Sequence, residues 1–327
     1  MRLEIVCIGT SAGGVEALQK LIAALPPDFA PAILIVQHFP ESSTSVMPHI
    51  LGRANQIPAK HAESGETIRA HQIYIAPPGK HMLVRDGHIL LVRGPKENSS
   101  RPAIDPLFRC TAWCYGEHCA AVLLSGLLDD GTIGMVRIKR YGGLTIVQDP
   151  NEASYPDMVR NAMAQVDVDH VLPLNGIAEL LAKLANPAAN PSKCYLDPPD
   201  KDESEMDSHE LKRLEHSTKV SALTCPECHG TLFELDEEGV LHFRCRVGHA
   251  YSAEHLLEAQ SDVLEAAIWT AMRSLEENND LLRRMSLRAK KGGRGKSAEF
   301  FESKLRENES QINVLREALG VGFASVK

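Results

Sequence analysis

The sequence predicts an α/β protein: a doubly wound, mostly parallel sheet over residues 1–186, then a small cysteine-bearing β module at 221–252 and a C-terminal α-helical hairpin at 253–327. Three observations predict it. Ahead of residue 190, short Val/Ile/Leu blocks alternate with helix-period stretches, and several blocks are continuously apolar, as strands buried on both faces of a parallel sheet are. After residue 220, two cysteine pairs of knuckle spacing flank a hairpin pattern. Beyond 253, apolar residues recur at alternating spacings of four and three over two long stretches.

Leu3–Ile8 is the first strand block, and Val15–Leu25 is the helix after it, because Leu18, Leu21, Ile22 and Leu25 share one helical face. With Ala32–Val36 as the next strand, the unit reads as a right-handed β–α–β crossover. Gln72–Ala76, Met82–Val84 and Ile89–Val92 are strands punctuated by Pro77-Pro78-Gly79 and Asp86-Gly87, so this stretch reads as an antiparallel, hairpin-like edge or excursion. A helix at Pro106–Cys114 leads to a strand at Ala120–Leu124 and a helix at Gly131–Arg140. A strand at Leu144–Val147 and a helix at Gly176–Ala185 complete the part. Residues 187–220, with two proline clusters and the mixed-charge run Lys201–Asp207, read as a linker.

The 327 residues carry a net charge of −8 at pH 7, which argues against a surface that wraps nucleic acid, because phosphate binding needs a positive field. No apolar run approaches the roughly 18 residues of a membrane span. Leu3–Ile8 runs straight into a glycine-rich turn instead of forming a signal-peptide core. Eight cysteines are too sparse for a disulfide scaffold and read as reduced thiols or metal ligands of a cytoplasmic protein.

Gly9-Thr10-Ser11-Ala12-Gly13-Gly14 joins the first strand to the first helix. Gly9-x-Ser11-x-Gly13 has the spacing of a nucleophile elbow, where small neighbours let a serine stand on a tight turn. The same helix N-terminus offers backbone N–H groups to an anion, so the turn by itself reads equally as a phosphate-binding loop. It is neither a dinucleotide fingerprint, since Ser11 takes the middle glycine position, nor a P-loop, since no Gly-Lys-Ser/Thr follows.

A serine hydroxyl needs a base to take its proton. His38, in Gln37-His38-Phe39-Pro40, falls at the carboxyl end of the second strand, where an imidazole can accept and return a proton; the plainer reading is an exposed loop histidine. Asp129 and Asp130 follow the strand at Ala120–Leu124, either to orient the histidine or to cap the next helix. All three groups lie at carboxyl ends of strands in one parallel sheet, where such folds build their sites. The chain order Ser, His, Asp differs from that of the α/β-hydrolase, chymotrypsin and subtilisin triads.

Residues 1 to about 186 resemble the catalytic domain of the chemotaxis protein-glutamate methylesterase family (CheB-type). The matching blocks are Ile8–Gly14, Gln37-His38-Phe39-Pro40, Tyr74–Met82, Arg101-Pro102-Ala103-Ile104-Asp105-Pro106-Leu107-Phe108 and Gly142–Asp149. The resemblance implies a Rossmann-like parallel sheet and a Ser–His–Asp triad that cleaves glutamate methyl esters of chemoreceptor helices, with related glutamine deamidation and no catalytic cofactor. Ser11 is then the nucleophile and His38 the base. Asp130, directly before the glycine of the family's Asp-Gly pair, is the orienting acid. Thr10 and Ala12 in the first turn, and Leu127 in a loop near the oxyanion, are the candidate substrate and oxyanion contacts. Asp105, Asp149 and His81 take structural or turn roles. The family's Gly-Met-Gly is Gly126-Leu127-Leu128 here, which bears on local backbone geometry and rate. The family's arrangement also carries a phosphorylated receiver ahead of the esterase, whereas this sequence starts at the esterase strand, so control by its own receiver is not expected.

Cys225-Pro-Glu-Cys228 and Cys245-Arg-Val-Gly-His249 enclose 16 residues with a hairpin at Thr231–Leu235 and Val240–Phe243. This is zinc-ribbon-like spacing, and Cys225, Cys228, Cys245 and His249 form a closed structural zinc site without the open position that catalysis needs. His229 and His242 read as surface residues, and Cys7, Cys110, Cys114, Cys119 and Cys194 as packed or exposed thiols. In the tail, Leu264, Ile268, Ala271, Leu275, Asn278, Leu282 and Met285 form one stripe; Phe301, Leu305, Asn308, Ile312, Leu315 and Leu319 form another. A Lys/Gly/Arg-rich turn joins them into an antiparallel hairpin in which Asn278 and Asn308 are expected to meet. An exposed second face is a candidate for self-association or for a separate regulator. The basic cluster Arg283–Lys296 reads as helix-end cations rather than a phosphate site.

Two functions compete at this level: a methylesterase and deamidase with a targeting tail, or a non-catalytic signalling scaffold acting through the zinc module and helical tail. Retention of Ser11, His38 and Asp130 favours the enzyme.

Overall fold

β1 (Ile5–Thr10) is buried at every residue, and its side chains divide between two cores: Ile5 and Cys7 enter one, Val6 and Ile8 the other. A strand covered on both faces belongs inside a parallel sheet flanked by helices. The structure, a computed structural model, describes residues 2–41, 43, 45–195 and 219–320. After β1 come α1 (Gly14–Ala24), β2 (Ala32–Gln37), α2 (Met47–Ala54), β3 (Ala59–His61), β4 (Ile73–Ile75), β5 (His81–Arg85) and β6 (His88–Val92). The chain continues through α3 (Ile104–Tyr115), β7 (Cys119–Leu123), α4 (Thr132–Arg140), β8 (Leu144–Gln148), α5 (Asp157–Gln165), β9 (His170–Leu172) and α6 (Leu174–Leu184). Seven strands pair in parallel in the order β3-β4-β2-β1-β7-β8-β9. In α1, Leu18, Leu21 and Ile22 are fully buried, each worth about 1.5–3 kcal/mol.

The strand at 72–76 is therefore no antiparallel edge: β4 lies inside the parallel sheet between β3 and β2, and only β5 and β6 form the antiparallel excursion. The turn signal between them was local, while the pairing of β4 is decided by its long-range partners. A second correction concerns the cysteines. Cys114 and Cys194, 80 residues apart, are joined in a disulfide, with Cα atoms 4.7 Å apart. The chain beyond α6 returns to α3, where the Tyr195 N–H donates to Cys114 O (2.7 Å) and Tyr115 Oη to Pro191 O. Cysteine density cannot foresee one such pair. Burial pushes the Cys110 thiol up to about 11 and the Cys119 thiol up to about 12, so both pack as inert hydrophobes. Most of the 187–220 linker lies outside the described residues.

β10 (Lys219–Thr224), β11 (Thr231–Glu237), β12 (Val240–Cys245) and β13 (Ala250–Ser252) form a four-stranded antiparallel sheet in chain order. The molecule divides into two compact units, Met1–Leu256 and Leu257–Lys327, so this sheet belongs with the parallel one. Buried charge joins them. Glu97, 2 % exposed, takes both Arg109 guanidinium nitrogens (2.8 and 2.9 Å) and faces Arg244 of β12 at 3.6 Å. Arg137 of α4 pairs with Glu237 of β11. His242 of β12 is half-buried rather than a surface residue, while His229 is exposed.

The second unit holds most of α7 (Ala253–Lys291) and all of α8 (Gly295–Ala318), which run antiparallel through the turn at Gly292–Arg294. The seam on α7 is Ile268, Met272, Leu275, Asn279, Leu282, Ser286 and Ala289. Asn279, not Asn278, accepts the hydrogen bond from Asn308 Nδ2 at 3.0 Å. One column of the expected stripe holds; the other moves by one residue, with small Ser286 and Ala289 buried in the seam near the turn and bulkier Met285 left 39 % exposed. No helix of the described residues is long and apolar enough to cross a membrane.

Candidate active site

The register of β1 and β2 closes on Thr10 opposite Gln37, so Ser11 and His38 leave the sheet side by side. The His38 N–H donates to Thr10 O (3.2 Å), and Gln37 Nε2 donates to Ser11 O (2.8 Å) and His38 O (3.1 Å). Gly13 makes the turn possible: its φ is 74°, and a Cβ there would lie 2.8 Å from Ser125 Oγ. Ser125, at the end of β7, anchors the turn from the other side. Its carbonyl accepts from the Ser11 N–H (3.0 Å) and Thr10 Oγ1 (2.8 Å), and its hydroxyl donates to Ala12 O (2.8 Å).

These contacts sort the expected oxyanion residues. Thr10 is fully buried with its hydroxyl committed to Ser125, so it shapes the turn and presents nothing to a substrate; the expected contact through Thr10 is corrected on that ground. The N–H groups of Ala12 and Leu127 meet no acceptor among the described residues, and Ala12 follows Ser11 as the oxyanion donor follows the serine in a nucleophile elbow. Ser11 Oγ is likewise uncommitted among the described residues.

His38 and Asp130, 92 residues apart, meet at 2.8 Å between Nε2 and Oδ2. Asp130 is fully buried and also accepts from the Ile104 N–H (2.6 Å), the Asp105 N–H (3.3 Å) and Asn98 Nδ2 (2.9 Å). Burial pushes its carboxyl up, but the His38 hydrogen bond and charge, with the Ile104 and Asn98 donors, outweigh it and hold the group well below the usual carboxylate range. Neighbouring Asp105 goes the other way, pushed up by burial and by the Asp130 charge, so the two carboxyls shift in opposite directions. Asp105 serves structure: its Oδ1 accepts from the Gly134 N–H (2.7 Å) and ties α3 to α4. His81 is buried between the Ala103 N–H and Pro95 O, and Asp149 holds a turn by accepting from the Asn151 N–H (2.8 Å).

Three groups that the sequence reading did not single out converge here. Asn98 touches Asp130, and Ser252 and His255 touch Asp129. Only Asn98 carried a signal, lying just ahead of the Arg101–Phe108 block. Leu128 stands at φ 61°, in the left-handed region that favours glycine, with its carbonyl held by Asn161 Nδ2 (2.8 Å).

Cys225, Cys228, Cys245 and His249 bring their ligand atoms within 4.8 Å of one another. Cys228 Sγ lies 3.6 Å from Cys245 Sγ, and His249 Nδ1 lies 3.5 and 3.7 Å from the Cys245 and Cys225 sulfurs. Tetrahedral bonds of about 2.3 Å to sulfur and 2.0 Å to nitrogen give edges of about 3.5–3.8 Å, which these three separations match, so the four residues could hold one metal ion.

The crystal structure of the Thermotoga maritima CheB methylesterase catalytic domain superposes with a TM-score of 0.54 at 33% identity, covering 57% of this chain and 100% of that one. A putative protein-glutamate methylesterase/protein-glutamine glutaminase of Leptospira interrogans is 39% identical over 185 residues, 56% of this chain and 96% of its own length. A protein-glutamate methylesterase/protein-glutamine glutaminase 2 of Anaeromyxobacter dehalogenans is 37% identical over 183 residues, 56% of this chain and 54% of that protein. Residues 6–181 match the family described as CheB methylesterase, and with that match covering more than half its length the chain belongs to this family.

Proposed function

We propose that this chain is a protein-glutamate methylesterase of chemoreceptor-type substrates, with glutamine deamidation at the same site. One observation carries the reading: a fully buried, ionised Asp130 holds His38 at 2.8 Å beside a serine that leaves the neighbouring strand at the next register position. Because Asp130 occupies Nε2, Nδ1 is the ring nitrogen left to serve Ser11. Ser11 Oγ attacks the ester carbonyl as His38 takes its proton, and the Ala12 and Leu127 N–H groups stabilise the oxyanion. Collapse of the tetrahedral intermediate expels methoxide, which leaves as methanol with the proton from His38. Water, activated by the same imidazole, then hydrolyses the acyl-enzyme to free glutamate and restores Ser11.

The same proposal puts zinc on Cys225, Cys228, Cys245 and His249 as a structural ion, since four protein ligands leave no open position, and places the protein in the cytoplasm, with the methylated helices of its substrate. Incubation with methylated chemoreceptor should release methanol, and Ser11→Ala or His38→Ala should lower kcat roughly 10⁴-fold. Release at the parent rate by either variant would overturn the assignment.

A further inference from the structure

We infer that Asn98 and the segment Ala250–His255 are positioning residues for the acid of the esterase site, so that the cysteine-bearing module completes that site from beyond the part of the chain that matches the family. The inference rests on the triad reading of Ser11, His38 and Asp130.

Asn98 is 3 % exposed and stands where three elements meet. Its Nδ2 donates to Asp130 Oδ1 and to Asp105 Oδ2, both at 2.9 Å, and its Oδ1 accepts from the Ser252 N–H at 2.9 Å. The main chain repeats the link: the Asn98 N–H donates to Ala250 O (2.8 Å), and the Ala250 N–H to Lys96 O (3.3 Å). An amide has one acceptor end and one donor end. Because the Ser252 N–H occupies the acceptor end, the NH₂ group must face the two carboxyls. That N–H acts together with the carboxylates in favouring this orientation and fixes the amide from its far side, so that its loss loosens the donor that now supports Asp130.

A second strut reaches the residue before Asp130. Asp129, also buried, accepts from Ser252 Oγ (2.6 Å) and His255 Nδ1 (2.5 Å). Asn98 thus fixes the carboxylate of Asp130, while Ser252 and His255 fix the main chain that carries it. β13 begins one residue after His249, the last of the four metal-ligand candidates, so folding of that knuckle sets the strand that orients Asn98. A triad acid works by holding the imidazole in one tautomer and orientation, so a loosened acid lowers turnover more than substrate binding.

The test uses the full chain and two variants, Asn98→Ala and His255→Gln, the second being the milder change should the first fail to fold. Methanol release from a glutamate methyl ester peptide gives kcat and KM, a serine-directed phosphonate gives the fraction of intact sites, and elemental analysis gives zinc. The expected result is a fall in kcat of about tenfold with KM within twofold, slower but complete phosphonate labelling and unchanged zinc. A kcat within twofold of an active parent in either folded variant would overturn the inference and leave the triad standing. A fall in rate matched by lost labelling stoichiometry and lost zinc would also overturn it, as plain structural damage. An inactive parent with Ser11 unlabelled would bring down the triad reading itself, and the inference with it.

Discussion

Glu97 links the catalytic sheet to the cysteine-bearing sheet, and the strength of that link is open to measurement. Burial pushes its carboxyl up, but the charges of Arg109 and Arg244 and the paired Arg109 hydrogen bonds win and hold it at about 2. Set against the usual 4.5, that gap corresponds to about 3 kcal/mol of stability at neutral pH. The folded value is the lower one, so the contribution is complete above about pH 4.5 and is lost as pH falls toward 2. Glu97→Gln removes the charge the two arginines face while keeping one acceptor oxygen. It should therefore lower stability by about 2–3 kcal/mol at pH 7, or Tm by about 5–10 °C for a unit of this size. At pH 3.5 the difference between parent and variant should narrow by about 1.4 kcal/mol, roughly half of its value at pH 7. Thermal melts of both proteins at the two pH values suffice. A Tm change below about 2 °C at pH 7, or one that stays constant down to pH 3.5, would refute the reasoning.

Two further substitutions probe the loop and the metal cluster. Leu128 at φ 61° bears about 1–2 kcal/mol of backbone strain, and glycine gives back roughly 0.4–1 kcal/mol through its freer unfolded chain. Leu128→Gly should therefore raise Tm by about 2–4 °C, and a lowered Tm would mean that the leucine packing outweighs the strain. Cys225→Ser should lose a zinc content near one equivalent and with it the β10–β13 sheet seen by circular dichroism, because so small a sheet has little apolar core of its own. A metal-free parent with that sheet intact would contradict the assignment.

Much of this was legible in the residues. Ile33–Val36 and Val6–Ile8 are continuous apolar blocks, and both became central strands covered on each face. The short elements were not legible: β3 and β9 have three residues each, and their partly exposed side chains carry no periodicity. For the site, position at strand ends brought Ser11, His38 and Asp130 into view, and the structure places the last two in contact. What local pattern could not carry was long-range geometry. Thr10 looks available in a turn and is sealed by Ser125, 115 residues on. Ser252 and His255 reach Asp129 across more than 120 residues, and a two-residue neighbourhood of serine and histidine on a helix start signals nothing by itself. Asn278 and Asn279 differ by one position in a pattern that fits either, and only packing against α8 chooses between them.

Activation of the Ser11 hydroxyl by the His38–Asp130 pair is the claim on which the chemistry rests, and a serine-directed fluorophosphonate tests it most directly. Mass spectrometry of the treated protein should find one adduct, on Ser11, forming at least a hundredfold more slowly in His38→Ala. An adduct on another serine, or equal labelling rates in the parent and His38→Ala, would contradict it.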